Sequence, residues 1–213
     1  MIASVLNIVG QQIEALDWVE RYGGLVQTYR EKVNDDGLFN VYPISCGVSE
    51  ADCINDQRYQ DLIPDDTKSS IVYFETLQGL RDAGSLNANN NVRILTGTFR
   101  LVAWLNYQKL GINECYASDK AQKSLYKILN RYYDKNMPDV LQNATIQFRI
   151  QSFVPKDYQT IFSKYNYQDL TGYWMYPFDY FAINVNVRMT LPMCDYDFTP
   201  QTPIDCIDDS RIL

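Results

Sequence analysis

Apolar and polar residues alternate with a period of two along residues 144–154. Ala144, Ile146, Phe148, Ile150 and Val154 fall on one side, and Thr145, Gln147, Arg149 and Gln151 on the other. Residues 181–191 repeat the pattern, with Phe181, Ile183, Val185, Val187, Met189 and Leu191 inward and Ala182, Asn184, Asn186, Arg188 and Thr190 outward. This spacing predicts two antiparallel strands, each with one face covered. A longer β-rich unit lies earlier, where residues 71–77 and 92–106 flank a polar tip at 84–91, and this predicts a long hairpin. In its second run Leu95, Phe99, Leu101, Ala103 and Leu105 share the face expected in the middle of a core, with Arg93 at the start of that parity. The other face, Ile94, Thr96, Thr98, Arg100, Val102 and Trp104, is mixed, so it is expected to be half covered by a helix or docked on another subunit.

Two stretches carry helical spacing instead. Ile2, Val5, Leu6, Val9, Ile13 and Leu16 predict an amphipathic helix from residue 2 to about residue 19, with Gly23-Gly24 as its stop signal. From Ser118, a candidate N-cap, Ala121, Leu125, Ile128, Leu129 and Tyr132 predict a second helix that ends before Met137-Pro138. Lys120, Lys123, Lys127 and Arg131 share its opposite side, either as a solvated face or as a strip that meets a neighbour's acidic arm or passing DNA. Between the first helix and the long hairpin, residues 28–33 and 38–44 flank Asn34-Asp35-Asp36-Gly37 and predict a shorter hairpin. Residues 46–70, rich in Asp and Glu with Pro64 as a breaker, predict an irregular connection.

The pattern lapses twice. Residues 155–180 hold Tyr158, Phe162, Tyr165, Tyr167, Tyr173, Trp174, Tyr176, Phe178 and Tyr180, an insertion too short for a core of its own and expected to lie on the parent sheet or on a partner chain. Residues 194–213 are acidic and proline-punctuated, an arm that is either a disordered end or ordered by contact with another subunit. The fold class is therefore α/β (α+β): a mostly antiparallel sheet with a long hairpin, flanked by two main helices. Residues 1–193 form one expected domain.

Composition narrows the function. With 213 residues, 46% of them hydrophobic, the chain can bury one substantial core. The net charge of −7 gives no global basic field for coating nucleic acid. No run approaches the ~18 apolar residues that span a bilayer, and the first residues lack a leader-like pattern, so a cytoplasm, or a body assembled in it, is the expected location. The absence of histidine removes the commonest general base and the Ser-His and Cys-His nucleophile systems. Cys46, Cys53, Cys115, Cys194 and Cys206 are widely spaced and read as reduced thiols. The acid pairs Asp35/Asp36, Asp65/Asp66 and Asp208/Asp209 leave a metal-dependent hydrolase as a remote alternative, and no phosphate loop, dinucleotide turn or cofactor signature is present. Seventeen tyrosines favour surfaces that are apolar and still hydrogen-bond, as interfaces are. No enzyme is expected.

The element order, together with the texture of Ile71-Val-Tyr-Phe-Glu and Phe99-Arg-Leu-Val-Ala-Trp-Leu-Asn, resembles the tail-terminator and head-to-tail joining proteins of tailed bacteriophages, and virion proteins of crAss-like phages among them. The resemblance implies a structural subunit of a homo-oligomeric ring at the neck or tail of the virion. Its partners would be its own copies and other neck, portal or tail proteins, with DNA passing without specific binding and no membrane involved. The contacts it implies are the hairpin tip (Leu86, Asn89, Asn90), the basic strip (Lys120, Lys123, Lys127, Arg131), the aromatic insertion (Tyr173, Trp174, Tyr176, Phe178) and the acidic arm (Asp205, Asp208, Asp209). The other open reading is a small protein-binding or assembly module that uses the tyrosine-rich surface.

Overall fold

A computed structural model describes residues 2–32, 39–45, 62–85, 92–112, 117–134, 144–166 and 170–192. Its strands are β1 (Arg21–Lys32), β2 (Phe39–Ser45), β3 (Ser70–Ser85), β4 (Val92–Asn106), β5 (Tyr132–Asp134), β6 (Thr145–Val154) and β7 (Phe178–Pro192). They form one sheet in the order β2-β1-β3-β4-β7-β6-β5. All neighbours are antiparallel except β1 and β3. Two main helices, α1 (Ile2–Glu14) and α2 (Ala117–Leu129), flank it, so the α+β class with a long hairpin stands. Among the described residues no helix is long and apolar enough to cross a membrane.

The helices share one face of the sheet because both apolar stripes need the same cover. Val5, Leu6, Val9 and Ile13 of α1 and Ala121, Leu125, Ile128 and Leu129 of α2 are buried against Val72, Phe74, Phe99, Leu101, Ala103 and Leu105, and against the odd-numbered apolar residues of β7 from Phe181 to Leu191. The predicted inward faces of β4 and β7 therefore belong to the core. The indole N–H of Trp18 donates to Ser124 Oγ at 3.1 Å and ties the turn after α1 to α2.

Several boundaries differ from those the pattern predicts. α1 ends at Glu14, and residues 15–19 continue as turns, with Leu16 N–H donating to the Ile13 carbonyl. Gly23 and Gly24 do not stop that helix; they lie inside β1, which pairs in parallel with β3 at Arg21, Tyr22 and Leu25 and slips register between Tyr22 and Leu25. Gly24 supplies the positive φ of 62° that this slip needs, and a Cβ on Gly23 would stand 2.5 Å from Leu62 Cδ1. α2 opens at Ala117, one residue before the predicted cap, and ends at Leu129, so Tyr132 leaves its stripe and joins β5. A three-residue edge strand has no periodicity to read; its pairing with β6 alone creates it. β7 opens at Phe178, which makes the last aromatic residues of the insertion part of a strand.

In β6 the register shifts between Ile150 and Ser152, and this inverts the parity that follows. Val154, expected on the side of Ala144, Ile146 and Phe148, instead pairs with Ala182 and packs on the opposite face of the sheet.

Candidate functional site

The face away from the helices has two halves. At the base, Ile71, Tyr73, Val102, Trp104, Tyr180 and Ala182 are buried beneath the aromatic insertion, so the Val102–Trp104 half of the mixed face of β4 is covered by Ile161, Phe162, Tyr165, Tyr173, Trp174 and Phe178 of its own chain. Phe162 sits 4.3 Å from the Trp174 ring, centroid to centroid, and Phe178 stacks on Trp104 at 5.3 Å. Polar contacts strap this flap down. The Trp104 indole N–H donates to the Tyr173 carbonyl at 3.0 Å, and Arg100 Nη1 donates to the Thr160 carbonyl at 3.1 Å. Lys164 Nζ donates to the Thr76 carbonyl at 3.1 Å, and the Tyr165 hydroxyl donates to Glu75 Oε1 at 2.5 Å. At the flap's root Asp179, with its side chain 4% exposed, takes an ion pair from Lys156 and a hydrogen bond from the Tyr107 hydroxyl. Of the two alternatives for the insertion, the parent sheet is the one observed.

Beyond Arg100 the flap stops and the sheet face becomes polar. Following the register outward, Gln78 stands across from Thr98 and Thr98 from Asn186, then Arg81 across from Thr96 and Thr96 from Arg188. On β6, Arg149 faces Asn186 and Gln147 faces Arg188. Because directly paired residues share a face, these side chains form one surface, about 14 Å wide from β3 to β6 at ~4.8 Å per strand. It is concave, with a cavity volume of about 310 Å³ lined by Gln78, Arg81, Thr98, Gln147, Arg149 and Arg188 among others. Side-chain hydrogen bonds hold its floor. Thr98 Oγ1 donates to Asn186 Oδ1 at 3.0 Å, Arg100 Nε to Asn184 Oδ1 at 3.1 Å, and Asn184 Nδ2 to Ser152 Oγ at 3.1 Å.

The charge of this face opposes that of the chain. Arg81, Arg149 and Arg188 are exposed, and among the described residues none of them is paired with a carboxylate. Among the described side chains of β3, β4, β6 and β7 the only carboxylate on the face is Glu75, which is 2% exposed beneath the flap edge. Burial pushes the Glu75 carboxyl above the ordinary range, outweighing the Tyr165 hydrogen bond and the nearby charges of Lys164 and Arg100. Three guanidiniums that share a hollow with amides and hydroxyls, and with no carboxylate among the described residues to offset them, suit a carboxylate- or phosphate-bearing group.

The structure distributes the expected contact residues unevenly. Lys120, Lys123, Lys127 and Arg131 are all exposed, the first three on α2 and Arg131 two residues past its end, on the far side of the sheet from the arginine hollow. Tyr173, Trp174 and Phe178 pack against Trp104, Phe162 and Tyr180 at the base, while Tyr176, 80% exposed, stands free of the cluster next to Met175 at 64%. Leu86, Asn89 and Asn90 of the tip and Asp205, Asp208 and Asp209 of the arm lie outside the described residues, as do Asp35 and Asp36. Asp65, from another acid pair, closes a turn by accepting from Thr67 N–H and from Lys68. Sequence reasoning passed over Arg81, Arg149 and Arg188 as a group. A usable signal was present, since the outward positions of residues 144–154 and 181–191 hold arginines and amides and no acid.

The chain matches no protein-family model and no curated protein at a significant level.

Proposed function

We propose that this chain is a structural subunit that assembles with copies of itself into a ring at the neck or tail of a tailed-phage virion, as a head-to-tail connector or tail terminator. The carrying observation is the distal half of the β3–β4 hairpin. β1 accompanies β3 only as far as Phe74, so among the described residues the outer edge of β3 from Glu75 to Ser85 has no strand beside it. That edge is almost wholly exposed and slips register against β4 three times, and slips of this kind prevent indiscriminate edge pairing while leaving room for a shaped partner. A hairpin built this far beyond its own flap is suited to reaching a neighbouring subunit. The sequence resemblance supplies the ring and the virion, where DNA passes without specific binding.

The test is native mass spectrometry and negative-stain electron microscopy of the full chain, followed by gold-labelled antibody on tailed particles. Closed rings and label at the neck or tail support the reading. A chain that stays monomeric at every concentration and labels no particle overturns it. A second reading, a module that binds another protein through its aromatic surface, draws on the exposed Met175–Tyr176 corner. It predicts that Tyr176→Ser abolishes capture of a single heterologous partner while the chain remains monomeric throughout.

A further inference from the structure

The cations of the arginine hollow are rooted at strand spacing. Arg81 and Arg188 both stand across from Thr96, about 10 Å apart at ~4.8 Å per strand, and Arg149 lies diagonal to Arg188, ~7 Å away. The basic strip continues to the flap edge, where Arg100 stands across from the buried Glu75 and Lys164 lies 3.6 Å from its carboxylate. The hollow offers no apolar anchor. Among the described residues that line it there is no aromatic ring, and the Val187 side chain is 0% exposed. We propose that this hollow is a sequence-independent contact for the phosphodiester backbone of a nucleic-acid strand, its three guanidiniums facing successive phosphates.

The lining decides between anions. A protein partner is held by aromatic and apolar residues at a desolvated centre, and exposed arginine–carboxylate pairs alone are weak, so an acidic protein segment finds no anchor here. Nucleobases find none either, because stacking needs a ring. What the lining does suit is backbone. Phosphate oxygens accept paired N–H donors from the arginine forks and single ones from the amides of Gln78, Gln147 and Asn186. A duplex carries one phosphate per ~3.4 Å of axis on each strand, so a strand crossing a hollow ~14 Å wide brings about four of them to three arginines. The net charge of −7 opposes the approach from a distance, which keeps the contact local, weak and steeply dependent on salt. Nothing in this contact requires the ring, and a monomer would make it equally well.

Fluorescence anisotropy of a labelled, mixed-sequence DNA duplex titrated with the full chain is the test. Three neutralised phosphates predict a slope of about −2.7 in log K against log salt, so binding should weaken about twentyfold between ~50 and ~150 mM salt. A second duplex of unrelated sequence should bind within about twofold of the first, since phosphate contacts do not read bases. Each of Arg81→Gln, Arg149→Gln and Arg188→Gln should shrink the slope by about 0.9, and the triple variant should lose binding at ~50 mM salt. The control is Lys123→Gln/Lys127→Gln/Arg131→Gln, which removes the same charge from exposed positions on the far side of the sheet and should keep most of the affinity. All six side chains are exposed, so circular dichroism should show both triple variants folded. Equal losses in the two triple variants would assign binding to the overall field and overturn the proposal. So would a full chain that binds no duplex at ~50 mM salt, whether or not it takes up inorganic tripolyphosphate. Displacement of the duplex by a polyglutamate peptide at equal charge would assign the hollow to carboxylates and overturn it as well.

Discussion

Glu75 is the residue whose chemistry departs furthest from what its neighbours in sequence suggest. In the run Ile71-Val-Tyr-Phe-Glu it reads as an ordinary strand position, yet the flap closes over it and leaves its carboxyl 2% exposed. With its proton held more tightly in the folded state, its contribution to stability is complete below the ordinary carboxylate range and is lost as pH rises through the raised folded value. Glu75→Gln keeps an oxygen that accepts from the Tyr165 hydroxyl and removes the ionisation. Urea unfolding at about pH 7.5 is expected to show the variant more stable by up to about 1 kcal/mol, the low end of what replacing a buried ion pair yields. At about pH 4 the two proteins should converge. A variant less stable at neutral pH would mean that the 3.6 Å pairing with Lys164 outweighs burial. Leu101, Phe99 and Val185 are simpler, because alternation alone assigns them to the core and the structure leaves each 0% exposed.

Among the elements, the flap was legible in composition and illegible in destination. Nine aromatic residues in residues 155–180 demand a surface to cover, but nothing local says whose. The answer lies in partners far along the chain: Trp104 with Tyr173, Arg100 with Thr160, Glu75 with Tyr165, and Tyr107 with Asp179. Asp179→Ala should therefore loosen the flap root, because it strips Lys156 and the buried Tyr107 hydroxyl of their shared acceptor. A loss of about 2 kcal/mol is expected in urea unfolding, the range for a buried hydroxyl left unpaired. Tryptophan fluorescence should change with it, since Trp104 and Trp174 lie beneath and within the flap. An unchanged midpoint would show that aromatic packing alone fixes the root. The misplaced Val154 has the same kind of origin, a register slip in β6 that alternation cannot reveal because it depends on pairing with β7.

The whole molecule divides its charge. It is acidic overall, yet the half of the sheet face that the flap leaves open gathers Arg81, Arg149 and Arg188 from three strands. The last strand among the described residues ends at Pro192, so deleting residues 194–213 should leave the protein folded, with its melting temperature little changed, while assembly is impaired. Circular dichroism and native mass spectrometry check the two halves of that statement. Loss of the folded signal on deletion would place the segment in the core.

Hydrophobic periodicity, with the turn-residue clusters between the runs, determined the α+β class, both main helices, both hairpins, the two alternating strands and nearly every buried residue of the helix-covered face. Those features follow from local spacing, because burying apolar surface every second or every third to fourth residue leaves few alternatives. Tertiary structure alone decided the parallel seating of β1 on β3, the register slips, the cover over Trp104 and the meeting of three arginines in one hollow. Each of these depends on residues tens of positions apart being aligned by backbone pairing, and no window along the chain contains that alignment.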